Sequence, residues 1–435
     1  MEGLEQEGKQ NKAGLAVGID LTDRFSQISA GFLGSGEVDT LSPISQNTGY
    51  LVPTALFKRS EVKQWFAGFE AQKCADTEVE GFYVDCLLER CREGSEIIIG
   101  KESFTPVALL ALFVKRLLAN VTVKAPVASI QTLMITLPEI DGTMVEILRR
   151  MVELLGLKTN NVYFQSHTES FYYYNLYQDT DLWKRDVCLF EAGDDSVETF
   201  KMSCNENTTP IVAIVEKNRF EMPILSKVVS EDVTEEDAQE VDRTFLEIAE
   251  ETIGERLISS VYLIGDAFKG GWRKESTKTL CRRGRLFQGN NLFSKGACYA
   301  AMDKLANSEI SKKYVFLGDD KLKSNIGMNV DKRGTSAYMA LLDAGHNWFE
   351  SSTECDIILN QGNRISFVVT PLTGEKPQVV DITLDDLPKR PPKTTRLHLQ
   401  ISMKSVTELV VRVKDMGFGE LYPSSDIEWN EVICV

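Results

Sequence analysis

The feature that most constrains this chain is a change of hydrophobic rhythm near residue 305. Up to that point, apolar segments of strand length alternate with longer helical ones. Between residues 15 and 57, "GLAVGIDL", "FSQISAGFL", "EVDTLSP" and "LVPTALF" read as strands, broken at Gly34-Ser35-Gly36 and Asn47-Thr48-Gly49. "TPVALLALFVKRLLANV" (105–121) predicts a buried helix, with Thr105 as its cap and Pro106 in its first turn. A strand at 129–138 and an amphipathic helix at 141–157, closed by Gly156, come next. "NVYFQSHTESFYYYNLYQ" predicts a short strand and an aromatic helix, and "DVCLFEAG" (186–193) another strand. An acidic helix follows, with Thr234 and Asp237 spaced as a capping box and Val241, Phe245, Ile248 and Ala249 as its core stripe. "ISSVYLIGDAF" (258–268) runs from strand into loop, and "NNLFSKGACYAAMDKL" (290–305) is a helix with small residues on one side. Strands alternating with helices are the grammar of an α/β fold. Residues 314–435 instead contain six period-two segments around the Pro-rich loop "LPKRPPKTT" (387–395), which predicts an all-β sandwich.

Composition narrows the function classes. At 435 residues the chain should form two or three domains. A net charge of −16 argues against nucleic acid as a partner, since phosphate backbones need clustered cations. The local exception, residues 269–285 with seven basic residues and one acid, reads as a solvated helix face beside acidic neighbours. No apolar run is read as reaching a membrane span, and residues 1–12 carry no apolar leader. Nine scattered cysteines fit a reducing, cytoplasmic setting, and Cys86 and Cys91 are poorly spaced for metal binding. The three histidines, His167, His346 and His398, are too few for a His-rich zinc site and read as ordinary core or surface residues.

The chemistry candidates are three glycine-containing turns at strand ends: "GIDLTDRFS" (18–26), "LFEAGDDS" (189–196) and "YLIGDAFKGG" (262–271). Such turns expose backbone amides that can cup phosphate oxygens. Their order resembles the actin, sugar-kinase and heat-shock chaperone ATPase superfamily, and most of all the seventy-kilodalton heat-shock chaperones. Gly18-Ile19-Asp20-Leu21 and Ser26 match the family's first phosphate hairpin, "CLFEAGDDS" its second phosphate loop, and "VYLIGDAF" its adenosine loop. "LPKRPPKTTRLHLQISMKSVTELVVRVKDMGFGE" is similar to the last strands of the chaperones' substrate-binding β-domain.

The resemblance implies a two-lobed actin-like ATPase fold over residues 1–312, with lobe I at about 13–165 and a shortened lobe II at about 186–305. A peptide-binding β-sandwich without a helical lid would occupy 313–435. It also implies catalytic roles for Asp20 and Glu191, and ATP or ADP contacts from Thr22, Asp23, Arg24, Gly193, Asp194, Asp195, Gly265, Asp266 and Lys269. A Mg²⁺ ion would take Asp20, Glu191 and Asp194. The aromatic run Phe171–Tyr174 would be core between lobes.

The departures are as specific. Thr22-Asp23-Arg24 replaces a Gly-Thr-Thr cradle, Gly193-Asp194-Asp195 replaces a triple glycine, and Leu87 stands at the position of the catalytic lysine. Only about seventy residues lie between Glu191 and Gly265, too few for the subdomain that clamps adenine. Like charges about 4 Å apart repel by roughly 1 kcal/mol in water and about 4 near a protein surface, so acids added beside phosphates weaken turnover. The expectation is therefore a chaperone-like or scaffold protein, a pseudo-ATPase whose β-domain binds a peptide or protein client. An active Mg-ATP hydrolase and an actin-like polymer former are the alternatives. In the β-domain, Phe418 and Tyr422 read as a turn or packing element.

Overall fold

The computed structural model describes residues 14–42, 49–60, 62–77, 79–228, 233–306, 308–332, 334–372 and 374–435. The expectations for residues 1–12 and for the break at 47–48 lie outside them. The fold is mixed α/β with several sheets and a β-rich C-terminal region. It divides into two compact units, Met1–Val315 and Phe316–Val435.

The first unit contains two six-stranded sheets in which five strands follow the same order. In one, β1 (Leu15–Leu21) pairs antiparallel with β2 (Phe25–Phe32), which pairs with β3 (Asp39–Thr40). On its other side β1 runs parallel to β4 (Ile130–Leu137), and β4 parallel to β5 (Val162–Ser166). The strand order is β5-β4-β1-β2-β3. The other sheet repeats the plan. Strand β6 (Asp186–Ala192) forms a hairpin with β7 (Ser196–Asn205), β7 pairs with β8 (Ile211–Glu221), and β6 runs parallel to β9 (Ile258–Ile264). Strand β10 (Arg285–Gln288) gives the order β10-β9-β6-β7-β8, and a short sixth strand that begins at Tyr314 flanks β8. Residues 20 and 191 therefore hold equivalent places, each opposite the second strand of its hairpin, at Gln27 and Glu198.

Helix α1 (Leu87–Glu93) precedes α2 (Pro106–Leu118) and α3 (Gly142–Leu155). Thr105 sits at the N-cap of α2, but its hydroxyl makes no capping bond; its carbonyl takes the amides of Ala108 and Leu109 instead. The segment 106–123 also corrects the reading that no apolar run reaches a membrane span. It meets the length and composition of one, because a 3₁₀ turn extends the helix, yet half of it is buried inside the protein. Leu110, Phe113, Val114 and Leu117 are among its buried residues, which is the pattern of a core helix.

Helix α4 (His167–Leu176) follows β5 directly, and α5 (Glu235–Ile253) lies on the second sheet. Thr234 caps α5 by accepting the Asp237 amide at 3.1 Å. Val241, Phe245, Ile248 and Ala249 are buried with Cys188 and Phe190 of β6 and Leu280 of α6 (Glu275–Arg283). Helix α7 (Leu292–Ala306) packs on β1 through its small residues. A Cβ on Gly18 would overlap the Ser294 carbonyl and the Cys298 amide, so only glycine admits that approach. Phe171 meets Phe200 and Tyr262 of the second sheet edge-on, with ring centroids 6.1 and 6.4 Å away.

The second unit consists of two four-stranded antiparallel sheets. One has the order β12-β11-β14-β15, formed by β11 (Ser324–Lys332), β12 (Thr335–Leu342), β14 (Arg364–Pro371) and β15 (Gln378–Thr383). The other has the order β13-β16-β17-β18, formed by β13 (Ser352–Leu359), β16 (Thr395–Met403), β17 (Glu408–Gly417) and β18 (Glu428–Cys434). Alternate residues of both, such as Ile326, Phe367, Leu399 and Val411, share one core. The Pro-rich loop is pinned to that core by Arg390, whose guanidinium forms two 2.7 Å bonds to the fully buried Asp415 carboxylate.

Candidate functional sites

Asp20, the penultimate residue of β1, lies within a lateral row of polar residues. Its register partners are Gln27 on β2 and Thr136 on β4, and Thr136 in turn pairs with Gln165 on β5. Directly paired residues point to the same face of a sheet. All four therefore project to the side carrying Gly18 and α7, while Val17, Ile19 and Leu21 are fully buried on the opposite side. His167, the first residue of α4, places Nε2 2.8 Å from Asp20 Oδ1. Its ring stacks on Phe293 of α7, with centroids 3.8 Å apart and planes 13° apart. Ser170 donates to Thr136 at 2.7 Å and accepts from the Gln165 amide at 2.6 Å.

The corner after β1 is occupied by its own side chains. Thr22 Oγ1 donates to the Phe25 carbonyl at 2.7 Å and accepts the Phe25 amide at 3.2 Å. Asp23 turns away and accepts the Leu88 and Glu89 amides at 2.7 and 3.3 Å, capping α1. Arg24 reaches the equivalent corner of the second sheet and pairs with Asp194 at 2.6 Å. With side chains 67% and 79% exposed, that pair is worth at most about 1 kcal/mol. Leu87, at the start of α1, is fully buried.

Glu191 ends β6. Burial pushes its carboxyl up to about 7; His167 and Lys217 pull it down, while Asp20 and Glu198 push it further up. Lys217 lies 3.0 Å from Glu198. The Gly193 amide closes the second corner on the Ser196 carbonyl at 2.9 Å, and Asp195 lies 3.7 Å from Arg219. Gly265 has φ +106°, and a side chain there would strike the Ala192 backbone. Asp266 and Lys269 pair with each other at 2.8 Å.

The structure thus brings Asp20 and Glu191 into one electrostatic cluster and joins Arg24 to Asp194, whereas Asp23 serves a helix. Among the described residues, no group of three or more His, Cys, Asp or Glu side chains is arranged to hold a metal ion. His167 is the residue that sequence reasoning missed as part of this site. In the basic stretch, Lys274 pairs with Glu235 and Lys278 with Glu275. Arg273 lies over Phe268 and Trp272.

In the second unit, a groove of about 830 Å³ opens between β12 and β13, the two strands at the end of their sheets. Its floor includes Met328, Val330, Met339, Ile357, Leu359 and Ile365, which belong to or border the sandwich core. The core is unfinished here, since Val330, Met339 and Ile357 are only half-buried. Among the described residues, each flanking strand pairs on one side only, leaving backbone donors and acceptors on the other. Phe418 and Tyr422 do not line the groove; they bridge a turn in which Gly417 and Gly419 have φ of +63° and +70°.

Residues 37–319 match a family described as a family of unknown function (DUF5716) C-terminal. Residues 321–435 match a domain of unknown function (DUF8552). No curated protein matches the chain.

Proposed function

The chain belongs to the DUF5716 family of unknown function, and on that premise we propose that it is a chaperone-like or scaffold protein that holds an extended peptide or protein segment in its β unit. The observation that carries this reading is the groove between β12 and β13. It combines an apolar floor with two unpaired strand edges, the combination that recognises an extended chain by side-chain pockets and main-chain hydrogen bonds.

The first unit is read as a two-lobed, actin-like domain of the heat-shock chaperone type, with its nucleotide function degraded. Support comes from the doubled strand order and from the two equivalent hairpin corners. A triphosphate with Mg²⁺ does not fit these corners. The Thr22 hydroxyl is engaged in its own turn, Arg24 is engaged by Asp194, Asp20 is engaged by His167, and Asp194 and Asp195 add negative charge.

Scanning fluorimetry and phosphate-release assays with Mg-ATP and Mg-ADP test this half of the reading. No shift in melting temperature and no turnover are expected; strong stabilisation with steady phosphate release would overturn it. One observation favours the hydrolase alternative, because a Glu191 carboxyl near 7 lies in the range of a general base. Under that alternative, Glu191→Gln would abolish a measurable turnover.

A further inference from the structure

We propose that a second copy of this chain pairs with the edge of β12, antiparallel and about a two-fold axis at Tyr338, so that two four-stranded sheets join into one. Among the described residues the sandwich has four outermost strands, β12, β13, β15 and β18. Three of them carry acids: Glu354 and Asp356 on β13, Asp381 on β15, and Glu428 and Glu431 on β18. Charge on an edge strand keeps one chain from extending the sheet of another. Strand β12, TSAYMALL, has no charged residue and no proline. Its first six residues, from Thr335 to Ala340, run in unbroken register with β11, so the edge is straight. On a chain of net charge −16, this is the edge at which two copies meet without setting acid against acid.

The strand is also self-complementary. Residues directly paired across an antiparallel ladder share a face, so pairing about Tyr338 sets Ser336 against Ala340, Ala337 against Met339, and Tyr338 against its own copy. Ala337, Met339 and Leu341 are only half-buried and Tyr338 is 49% exposed, so apolar surface is covered on both faces of the joined sheet. The charges beyond the two ends match as well. Lys332 lies opposite Thr335 at one end of the strand, and Asp343 follows its last residue at the other. Both are exposed, and among the described residues neither forms an ion pair. The acid next to Lys332, Asp331, is already held by the Gly334 amide at 2.7 Å and by Lys393 at 3.7 Å. Antiparallel pairing brings each Lys332 to the end that carries Asp343 of the second copy, whereas parallel pairing would set like charge against like. The edge of β13 stays open to an extended segment, so the pairing goes beyond the peptide reading and does not rest on it.

Sedimentation velocity of the full chain from about 1 to 100 µM tests the pairing. A species of twice the chain mass is expected to grow with concentration. Lys332→Glu leaves acids at both ends of the edge and Asp343→Lys leaves cations at both, so each variant alone should dimerise about tenfold more weakly. An equimolar mixture of the two variants restores both opposite-charge contacts and should recover the association of the wild type. Both positions are exposed, so an unchanged urea midpoint shows that each variant is folded. A chain that stays monomeric throughout would overturn the pairing and leave the β12 edge to a segment of another protein. A dimer that neither single variant weakens, or that the mixture fails to restore, would overturn it too.

Discussion

Replacing Arg390 with alanine isolates the most completely buried ion pair among the described residues. Asp415 has no exposed surface and Arg390 retains 6%, so neither charge is solvated by bulk water. Two parallel 2.7 Å bonds join them, and Arg390 also donates to the Pro423 carbonyl at 2.8 Å. The remaining Asp415 lone pairs accept the Gly417 amide at 3.0 Å, the Ser425 amide at 2.9 Å and the Ser425 hydroxyl at 2.7 Å. Burial by itself would raise this carboxyl; Arg390 first, and then Ser425 and Gly417, outweigh it and hold Asp415 well below the usual carboxylate range. Arg390→Ala leaves a buried carboxylate with three neutral donors, a loss of about 3–5 kcal/mol. For a unit of this size that corresponds to a melting temperature lower by roughly 10–20 °C.

Urea unfolding of the full chain, with hydrogen exchange followed over residues 395–417, locates the loss in the second unit. The pH dependence has a definite sign. A carboxyl held below its unfolded value stabilises above about pH 4, and that contribution is lost as pH falls further. The wild type should therefore weaken in acid more steeply than the variant. A loss under 1 kcal/mol, or identical acid profiles, would refute the view that this pair is desolvated and holds the Pro-rich loop.

Three further outcomes are expected. His167→Ala removes a bond to a buried carboxylate and the stack on Phe293, and should cost about 2–4 kcal/mol in urea unfolding; Phe293→Leu should cost less because it spares the bond. Glu191→Gln should match wild type near pH 4 and exceed its stability near pH 8. A carboxyl raised to about 7 favours the folded state below its unfolded value, and that advantage is lost as pH rises through 7, a dependence that paired unfolding curves measure directly. Thr234→Ala removes the α5 cap and should cost about 1 kcal/mol, with faster amide exchange confined to the first turn of α5.

What could be read in the sequence was local. The Thr234–Asp237 spacing and the core stripe of α5 follow from contacts three or four residues apart, and both are present. The change to β-rich structure follows from a period of two. His167 was missed because its partner lies 147 positions away, and a lone histidine at the start of an aromatic helix gives no sign of an aspartate on another strand. The doubled strand order cannot be read from residue identity. β1 and β6 read LAVGIDL and DVCLFEA, which share apolar character but hardly any residues, so topology repeats where sequence does not. The groove also left no mark, because Met339 and Ile357 alternate along their strands as core residues do.

The polar row of Gln27, Asp20, Thr136 and Gln165 has a consequence for folding fidelity. If β1 slipped by one residue, Asp20 would turn into the aliphatic layer, and Ile19 or Leu21 would face the serine and threonine hydroxyls. An unpaired carboxylate among aliphatic side chains is costly enough to exclude such a mispaired sheet. The four residues thus act as a key that only one alignment of the strands will accept.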